Sequence, residues 1–259
     1  MNKKVYGRLI ILKNCGRFLN IESDFGSEYK THPFLTEQMT YAGLTRENKL
    51  INNDEVKIEK GIVPEKYNFN RRYNIPNGRY FTCGYIINKE KLNEKGEIEL
   101  WSKNRNNTDI NDFNSIDETN AGVQENEKMP KFGNIESLLP NNYFIVFAFS
   151  LDKEYLKNYY LGQTFYMGKK RTMFQIENIS NIRSSTENKI KADIQLPIQI
   201  ERNEIKNFDY YNIVTLTRRY MLIKGKTDKI KNFSWKLDYK NIQNINLPSF
   251  FIKKYLMGE

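Results

Sequence analysis

The run Tyr143–Ser150 (YFIVFAFS) carries no charge and is dominated by aromatic and aliphatic residues. An apolar run of this length predicts a strand buried on both faces, at the centre of a sheet. Four further runs have strand composition: residues 4–12, 172–179, 190–200 and 213–223. The chain is therefore expected to be built mainly on β-structure.

Helical signals are few. Thr36 is a candidate N-cap for a short helix over residues 37–42, with Gly43 as its stop. Pro248 precedes a second short amphipathic segment, residues 249–256. Because strands outnumber helices, the predicted fold class is α+β, an antiparallel sheet in a single domain over residues 1–259.

Two segments are predicted to leave this sheet. Residues 79–87 and 97–101 are β-rich and are separated by a turn-like sequence at 93–96, so residues 79–101 are expected to form a long protruding hairpin. Residues 104–127 are rich in Asn and acidic residues and lack periodicity, so they are expected to form a mobile acidic loop.

The charge balance points to a polyanionic partner. The chain has 41 Lys and Arg against 31 Asp and Glu, a net charge of +10. Residues 109–127 contain six acidic residues and no Lys or Arg, so the other 240 residues carry +16. A basic surface of this size favours nucleic acid as the ligand, although many basic domains carry only solvated lysines.

Several classes of protein are excluded or disfavoured. One histidine cannot build a multi-histidine metal centre, and two cysteines 68 positions apart indicate neither a zinc ribbon nor a disulfide framework. No phosphate-binding GxxxxGK[ST] motif is present. The longest uncharged stretch, residues 138–151, is too short for a membrane span, and residues 5–12 do not make a signal-peptide core. We expect a cytoplasmic protein without membrane contact, metal or cofactor.

Three basic segments are candidate RNA contacts. Aromatic residues that alternate with arginines suit unpaired RNA, because rings stack on bases and guanidinium groups bind phosphates. Such a mixture spans residues 67–73, where the candidates are Arg71, Arg72 and Tyr73. A glycine followed by three cations allows close approach to a phosphate backbone; this segment is Gly168, Lys169, Lys170 and Arg171, and a shorter pair is Arg218 and Arg219. Each could instead be a solvated edge strand or charged turn.

The sequence Tyr29-Lys30-Thr31-His32-Pro33 raises a catalytic alternative. His32 could take a proton from a ribose 2′-hydroxyl while Lys30 stabilises the phosphorane, as in metal-independent RNA cleavage. Neighbouring residues on an extended segment point to opposite sides, which disfavours convergence on one atom.

Three blocks of the chain resemble a CRISPR-associated family, Csc-one, the type I-D version of the Cas-five backbone subunit. YKTHPFL with the following YAGL resembles its N-terminal "Y-R-T-E-P-Y-L … YALGL" block, and MPKFG through YFIVF resembles its "N-I-P-x-F-G-R … F-x-F-Y" element. MGKKR falls where the family has "R-L-G-K-W-M-S-K". The order matches over roughly residues 1–180; the departures are His32 for Glu, Tyr166 for Arg and Met173 for Lys.

This resemblance implies an RRM-like (ferredoxin-like) core with a glycine-containing loop and a thumb, for which residues 79–101 are the candidate. It also implies a non-catalytic subunit of a type I-D Cascade complex in antiviral defence. Such a subunit binds the 5′ handle of the guide RNA (crRNA) and abuts the large subunit and the first helical-backbone subunit. It also helps to form the site where target DNA is read at the protospacer-adjacent motif.

The resemblance adds Lys30 and Thr31 as a second RNA contact, because a matched basic block surrounds them. It assigns no catalytic residue. A related Cas-five subtype does cleave RNA, so an endoribonuclease that processes the precursor guide RNA remains the alternative.

Overall fold

The computed structural model describes residues 4–16, 22–25, 28–46, 78–88, 100, 108–116, 130–167, 172–216, 221–239 and 242–256. The strands are, in chain order, β1 (Val5–Asn14), β2 (Glu22–Phe25), β3 (Glu28–Thr31), β4 (Phe34–Leu35), β5 (Arg79–Phe81), β6 (Gly84–Ile87), β7 (Thr108–Ile116), β8 (Pro130–Leu138), β9 (Tyr143–Ser150), β10 (Thr164–Met167), β11 (Thr172–Ile179), β12 (Arg183–Ser185), β13 (Ala192–Ile200), β14 (Tyr210–Leu216), β15 (Met221–Thr227), β16 (Asn232–Tyr239) and β17 (Ile242–Pro248). The helices are α1 (Glu37–Arg46), α2 (Glu154–Lys157) and α3 (Ser249–Leu256), and a 3₁₀-helix spans Arg202–Asn207.

The main sheet has eight strands. Six follow the order β10-β11-β1-β9-β6-β4, while β12 pairs with β1 and β5 pairs with β9. All of these pairs are antiparallel. The α+β prediction is confirmed at this level, because the described chain is mostly antiparallel sheet with few helices.

The centre of the sheet lies where the apolar run predicts it. β9 has the predicted bounds, and seven of its eight residues are buried. It pairs with β1 over eight residues, from Tyr6↔Ser150 to Lys13↔Tyr143. Side chains of both strands are buried on both faces, because α2 packs on one side and the C-terminal hairpin contributes to the other.

Helix α1 begins as predicted and ends later. The backbone N–H of Met39 donates to the Thr36 hydroxyl over 3.2 Å, which is the expected N-cap hydrogen bond. Gly43 does not stop the helix, which continues to Arg46. A Cβ on Gly43 would lie 2.3 Å from Cγ of Met167, so the glycine allows α1 to pack closely on β10.

Helix α3 has the predicted bounds and packs with its apolar side inward. Phe251, Ile252 and Tyr255 are buried. The Tyr255 hydroxyl donates to the carboxylate of Glu37, which links α3 to α1.

The first strand of the predicted protruding hairpin belongs to the main sheet instead. Arg79–Phe81 and Gly84–Ile87 both pair with β9, and all seven residues are buried. Between them, Thr82 exchanges two hydrogen bonds of 3.0 Å with the backbone of Phe147. The apolar side chains of this strand complete the core, so it cannot stand away from the sheet. Ile87 bridges Leu100 in antiparallel fashion, and residues 89–99 lie outside the described residues.

The predicted acidic loop at residues 104–127 contains a strand. β7 pairs with β8 over nine residues, from Thr108↔Leu138 to Ile116↔Pro130. The sequence of β7, TDINDFNSI, has no alternation of apolar and polar residues and is rich in Asn and Asp, which are uncommon in strands. β7 is therefore a strand because it pairs with β8, although its own composition does not predict a strand. Residues 104–107 and 117–127 lie outside the described residues.

A second antiparallel sheet has the order β13-β15-β14. The predicted single strand over residues 213–223 is two strands, β14 and β15, which pair up to Leu216↔Met221. The polar sequence Thr-Arg-Arg-Tyr at 217–220 connects them. β13 begins two residues after the predicted start, and its register shifts around Pro197, since proline cannot donate to the ladder.

The C-terminal hairpin β16–β17 joins the same hydrophobic core as the main sheet. The indole N–H of Trp235 donates to the carbonyl of Val5 over 3.1 Å, and its ring centroid lies 4.9 Å from that of Phe147. Within the described ranges, no helix is long and apolar enough to cross a membrane.

Candidate nucleic-acid interface

The edge strand β10 presents an aromatic ring to solvent beside the predicted basic segment. Phe165 and Met167 are buried, whereas Thr164 is exposed and Tyr166 is 52% exposed. β10 pairs with β11 up to Met167↔Thr172, so residues 168–171 connect two paired strand ends. Those four residues lie outside the described residues, and their RNA contacts stay a prediction.

The exposed side of β10 continues across the sheet. Thr164 lies opposite Gln175, Gln175 opposite Lys13, and Lys13 opposite Tyr143. Directly opposite residues project from the same face, so these four side chains form a row across four strands. Tyr166 is two residues from Thr164 and shares that face. We call Lys13, Tyr143, Thr164, Tyr166 and Gln175 the β10 edge surface.

The β10 edge surface combines the groups that bind single-stranded RNA. Its tyrosine rings can stack on bases, its ammonium group can pair with a phosphate, and its amide and hydroxyl can hydrogen-bond. Lys13, Tyr143 and Gln175 are half-buried, so their positions are restricted by packing.

Neighbouring backbone holds this edge in place. The N–H groups of Cys15 and Gly16 donate to the carbonyl of Met173 over 2.9 and 3.1 Å. The Cys15 thiol lies 3.9 Å from the Gln175 amide oxygen, and its partial burial raises its pKa above the ordinary value.

The structure removes one predicted contact residue from the surface. Lys30 and Thr31 lie on β3, and Thr31 is only 1% exposed. Its backbone N–H donates to the Glu136 carboxylate over 3.1 Å. The Thr31 side chain is therefore packed inside, where an external RNA strand does not reach it.

His32, the centre of the catalytic alternative, is half-buried. Its ring packs on Phe34, with ring centroids 5.2 Å apart. This contact places the imidazole beside β4.

The remaining predicted contacts fall outside the described residues and stay predictions: Arg71, Arg72, Tyr73, Gly168, Lys169, Lys170, Arg171, Arg218 and Arg219. No group of three or more potential metal ligands occurs in the part of the chain that the structure describes.

Sequence reasoning missed the exposed tyrosines. Tyr166 was noted only as a departure from a family motif, and it is 52% exposed. Tyr210 and Tyr211, 58% and 38% exposed, lie on β14 just before the predicted strand start at Ile213. The sequence feature that could have indicated them is the pair of tyrosines between Asp209 and Asn212, since polar residues flank the two rings at the start of the strand.

Comparisons with known proteins give likenesses to solved structures. No protein-family model and no curated protein matches the chain. It is similar to a chain in the cryo-EM structure of type III-B Cmr-β bound to cognate target RNA, with a TM-score of 0.37 and 12% identity, over 69% of this chain and 61% of that chain. That match spans less than two thirds of the Cmr-β chain.

A second structure, of Cmr-β bound to cognate target RNA and AMPPnP in state 1, gives a TM-score of 0.37 and 9% identity over 85% of this chain and 84% of that chain. Both TM-scores are too low to establish a shared fold, so function is inferred from the residues of this chain.

Proposed function

We propose that this protein is a non-catalytic, RNA-binding subunit of a CRISPR effector complex, and that it binds the 5′ handle of the guide RNA. The observation that carries the proposal is the β10–β11 hairpin. An exposed tyrosine, Tyr166, lies two positions before Gly168-Lys169-Lys170-Arg171, the segment that resembles the basic block of Csc-one. Stacking and phosphate pairing are thereby available at one edge of the sheet.

The order of elements supports an RRM-like (ferredoxin-like) core. The chain contains the order β-α-β-β-α-β, formed by β1, α1, the β5–β6 strand, β9, α2 and β11, with β2–β4, β7, β8 and β10 inserted between them. Their strands lie side by side as β11-β1-β9-β6, all antiparallel. This is the strand order of the split βαβ motif.

The finer assignment rests on the resemblance. The complex is of type I-D, and the partners are the large subunit, the helical-backbone subunit and target DNA near the protospacer-adjacent motif. The packing of His32 against Phe34 disfavours the endoribonuclease alternative.

The test is RNA binding by the triple variant K169A/K170A/R171A. Phosphate contacts release counterions, so wild-type affinity should fall steeply between about 50 and 200 mM salt. The variant should bind all RNA sequences more weakly, and its salt slope should be flatter by up to about three. Its thermal unfolding should be nearly unchanged, because cations that are available to RNA phosphates are solvated in the free protein, and solvated charges contribute little to folding.

A matched control removes three exposed lysines elsewhere, K153A/K189A/K191A. This control should keep the wild-type salt slope. Equal slopes for wild type and the triple variant would exclude residues 169–171 from the interface, and salt-independent or absent RNA binding by wild type would refute the function.

The catalytic alternative has its own test. H32A should leave the length of the guide RNA unchanged when the complex is assembled in cells that carry it. Accumulation of unprocessed precursor would instead support the endoribonuclease.

A further inference from the structure

We propose that the sheet β13-β15-β14 carries a binding site for one unpaired nucleobase of RNA, separate from the β10 edge surface. The inference rests on the proposed function, because it adds a base-reading contact to an RNA-binding subunit. The site is a pocket of about 150 Å³, which we call the β14 pocket. Its lining side chains are Asp193, Gln195, Tyr210, Asn212, Lys224 and Lys226, together with the backbone of Gly225.

Strand register brings these side chains together. Lys226 lies opposite Asp193 on one side and Tyr210 on the other, and Lys224 lies opposite Asn212. The residues alternate along each strand, so they share one face, while Ile194 and Ile223 fill the buried face.

The pocket has a fixed aromatic wall. The Tyr210 side chain is 58% exposed, and its hydroxyl donates to the amide oxygen of Asn212 over 3.0 Å. A Cβ on Gly225 would lie 2.3 Å from the carbonyl oxygen of Tyr210, so glycine is needed for β14 to approach β15 this closely. An exposed ring held in one orientation is a platform on which a base of any sequence can stack.

Hydrogen bonds beside the pocket tie its three strands to their neighbours. The N–H of Asp209 donates to the carbonyl of Lys226 over 3.0 Å, and the Asp209 carboxylate accepts from the N–H of Asp228 and pairs with Lys229. On the opposite strand, the Asn246 amide donates to the carbonyl of Asp193 over 3.0 Å. The pocket is therefore preformed, which lowers the cost of ordering it on binding.

The polar groups fit a base and its phosphates. Lys224 and Lys226 form no ion pair with other described residues, so their ammonium groups are available to phosphates. Asp193 is an acceptor without a cation partner among the described residues and matches the exocyclic amino group of a base such as cytosine. Uracil lacks that amino group, so the pocket should prefer C over U.

An exposed edge strand could instead bind a protein strand. The two lysines and the polar pocket favour RNA, because a β-augmenting peptide needs the strand edge and not the polar face. Protein docking is kept as an outcome of the test.

The experiment measures the binding of short oligo(C) and oligo(U) RNAs of equal length to the full-length protein. Y210A should weaken binding of both RNAs roughly tenfold through lost stacking, whereas Y210F should stay close to wild type. D193A should abolish the preference for oligo(C) over oligo(U). K224A/K226A should flatten the salt dependence of RNA affinity by about two in slope. K153A/K189A, which removes two exposed lysines elsewhere, is the matched charge control. A photo-crosslink from 4-thiouridine RNA should map to the peptide that contains Tyr210.

The outcomes separate this inference from the proposed function. If Y210A and K224A/K226A bind like wild type while K169A/K170A/R171A is impaired, the β14 pocket is refuted and the function stands. If Y210A loses a partner subunit but not RNA, the face docks protein and the inference is wrong. If wild type binds no RNA, both fail.

Discussion

Glu187 joins three segments of the chain through one carboxylate. The Ser249 hydroxyl donates to it, Lys253 Nζ lies 3.1 Å away and Lys231 Nζ 3.9 Å away. The Ser249 hydrogen bond, together with the two lysines, holds the pKa of Glu187 below its usual value. A carboxylate whose pKa is lower in the folded state stabilises that state above the unfolded pKa, and this stability is lost as pH falls.

E187Q should lower the free energy of unfolding at neutral pH by about 1 kcal/mol, because a hydrogen-bonded charge is replaced by a neutral amide. The difference from wild type should shrink below about pH 4, where the wild-type carboxylate also becomes neutral. Urea unfolding at several pH values measures both effects.

E201Q is the control, since the Glu201 side chain is 65% exposed although Lys254 lies 2.9 Å away. Its effect should be small at every pH. If E187Q is destabilised by the same amount at every pH, the loss of stability comes from the shape of the Gln side chain and not from the missing charge.

Among the elements, the contact between α1 and β10 sets the position of the β10 edge surface. Gly43 leaves room for Met167, and the Tyr159 hydroxyl donates to the carbonyl of Leu44 over 3.0 Å. The helix thus packs on the buried side of the strand whose other side carries Tyr166.

G43A should destabilise the protein by about 1–3 kcal/mol, because the added methyl overpacks against Met167. Helix propensity alone predicts the opposite sign, since alanine favours a helix by about 1 kcal/mol over glycine. The double variant G43A/M167A should be less destabilised than the sum of the single variants. If the losses of unfolding free energy measured in urea are additive, the methyl added at Gly43 and the Met167 side chain do not clash.

Elements that bury apolar side chains could be predicted from the sequence. β9, β11 and α3 have the predicted bounds because their apolar residues recur at the spacing of a buried strand or amphipathic helix. β7 could not, because its pairing with β8 is a long-range property that its own residues do not encode. Residues 79–87 were predicted to be a strand of a protruding hairpin, and they pair with β9 in the main sheet instead. Composition does not indicate which strand is the neighbour.

The candidate surfaces also divide into features visible in the local sequence and features that depend on strand pairing. The basic segments were visible as local sequence, and they lie outside the described residues. The row of side chains on the β10 edge surface arises from register between strands far apart in the chain, and the β14 pocket arises from the register of three paired strands. Thr31 was proposed as an RNA contact because the block around it resembles one of Csc-one, and that local likeness does not reveal that its side chain is buried.

At the scale of the whole molecule, charge is unevenly divided. The six acidic residues of 109–127 oppose a remainder of +16. RNA approaching this protein therefore meets a net attraction that the acidic segment reduces. Charges separated by more than about 8–10 Å are screened at physiological salt, so this opposition acts mainly at low ionic strength.

Replacing those six residues by their amides raises the net charge from +10 to +16 without changing side-chain shape. The variant should associate with RNA faster and more tightly at low salt, because long-range attraction steers encounter. The gain should vanish by about 200 mM salt, where only direct phosphate contacts remain effective.

Stopped-flow fluorescence with labelled RNA over a salt series measures the association rate and the affinity. N106Q/N107Q/N120Q is a charge-neutral control in and beside the same segment. A gain that persists at high salt would mean that the acidic residues block the RNA site directly, and no gain at low salt would mean that the segment lies far from the path of the RNA.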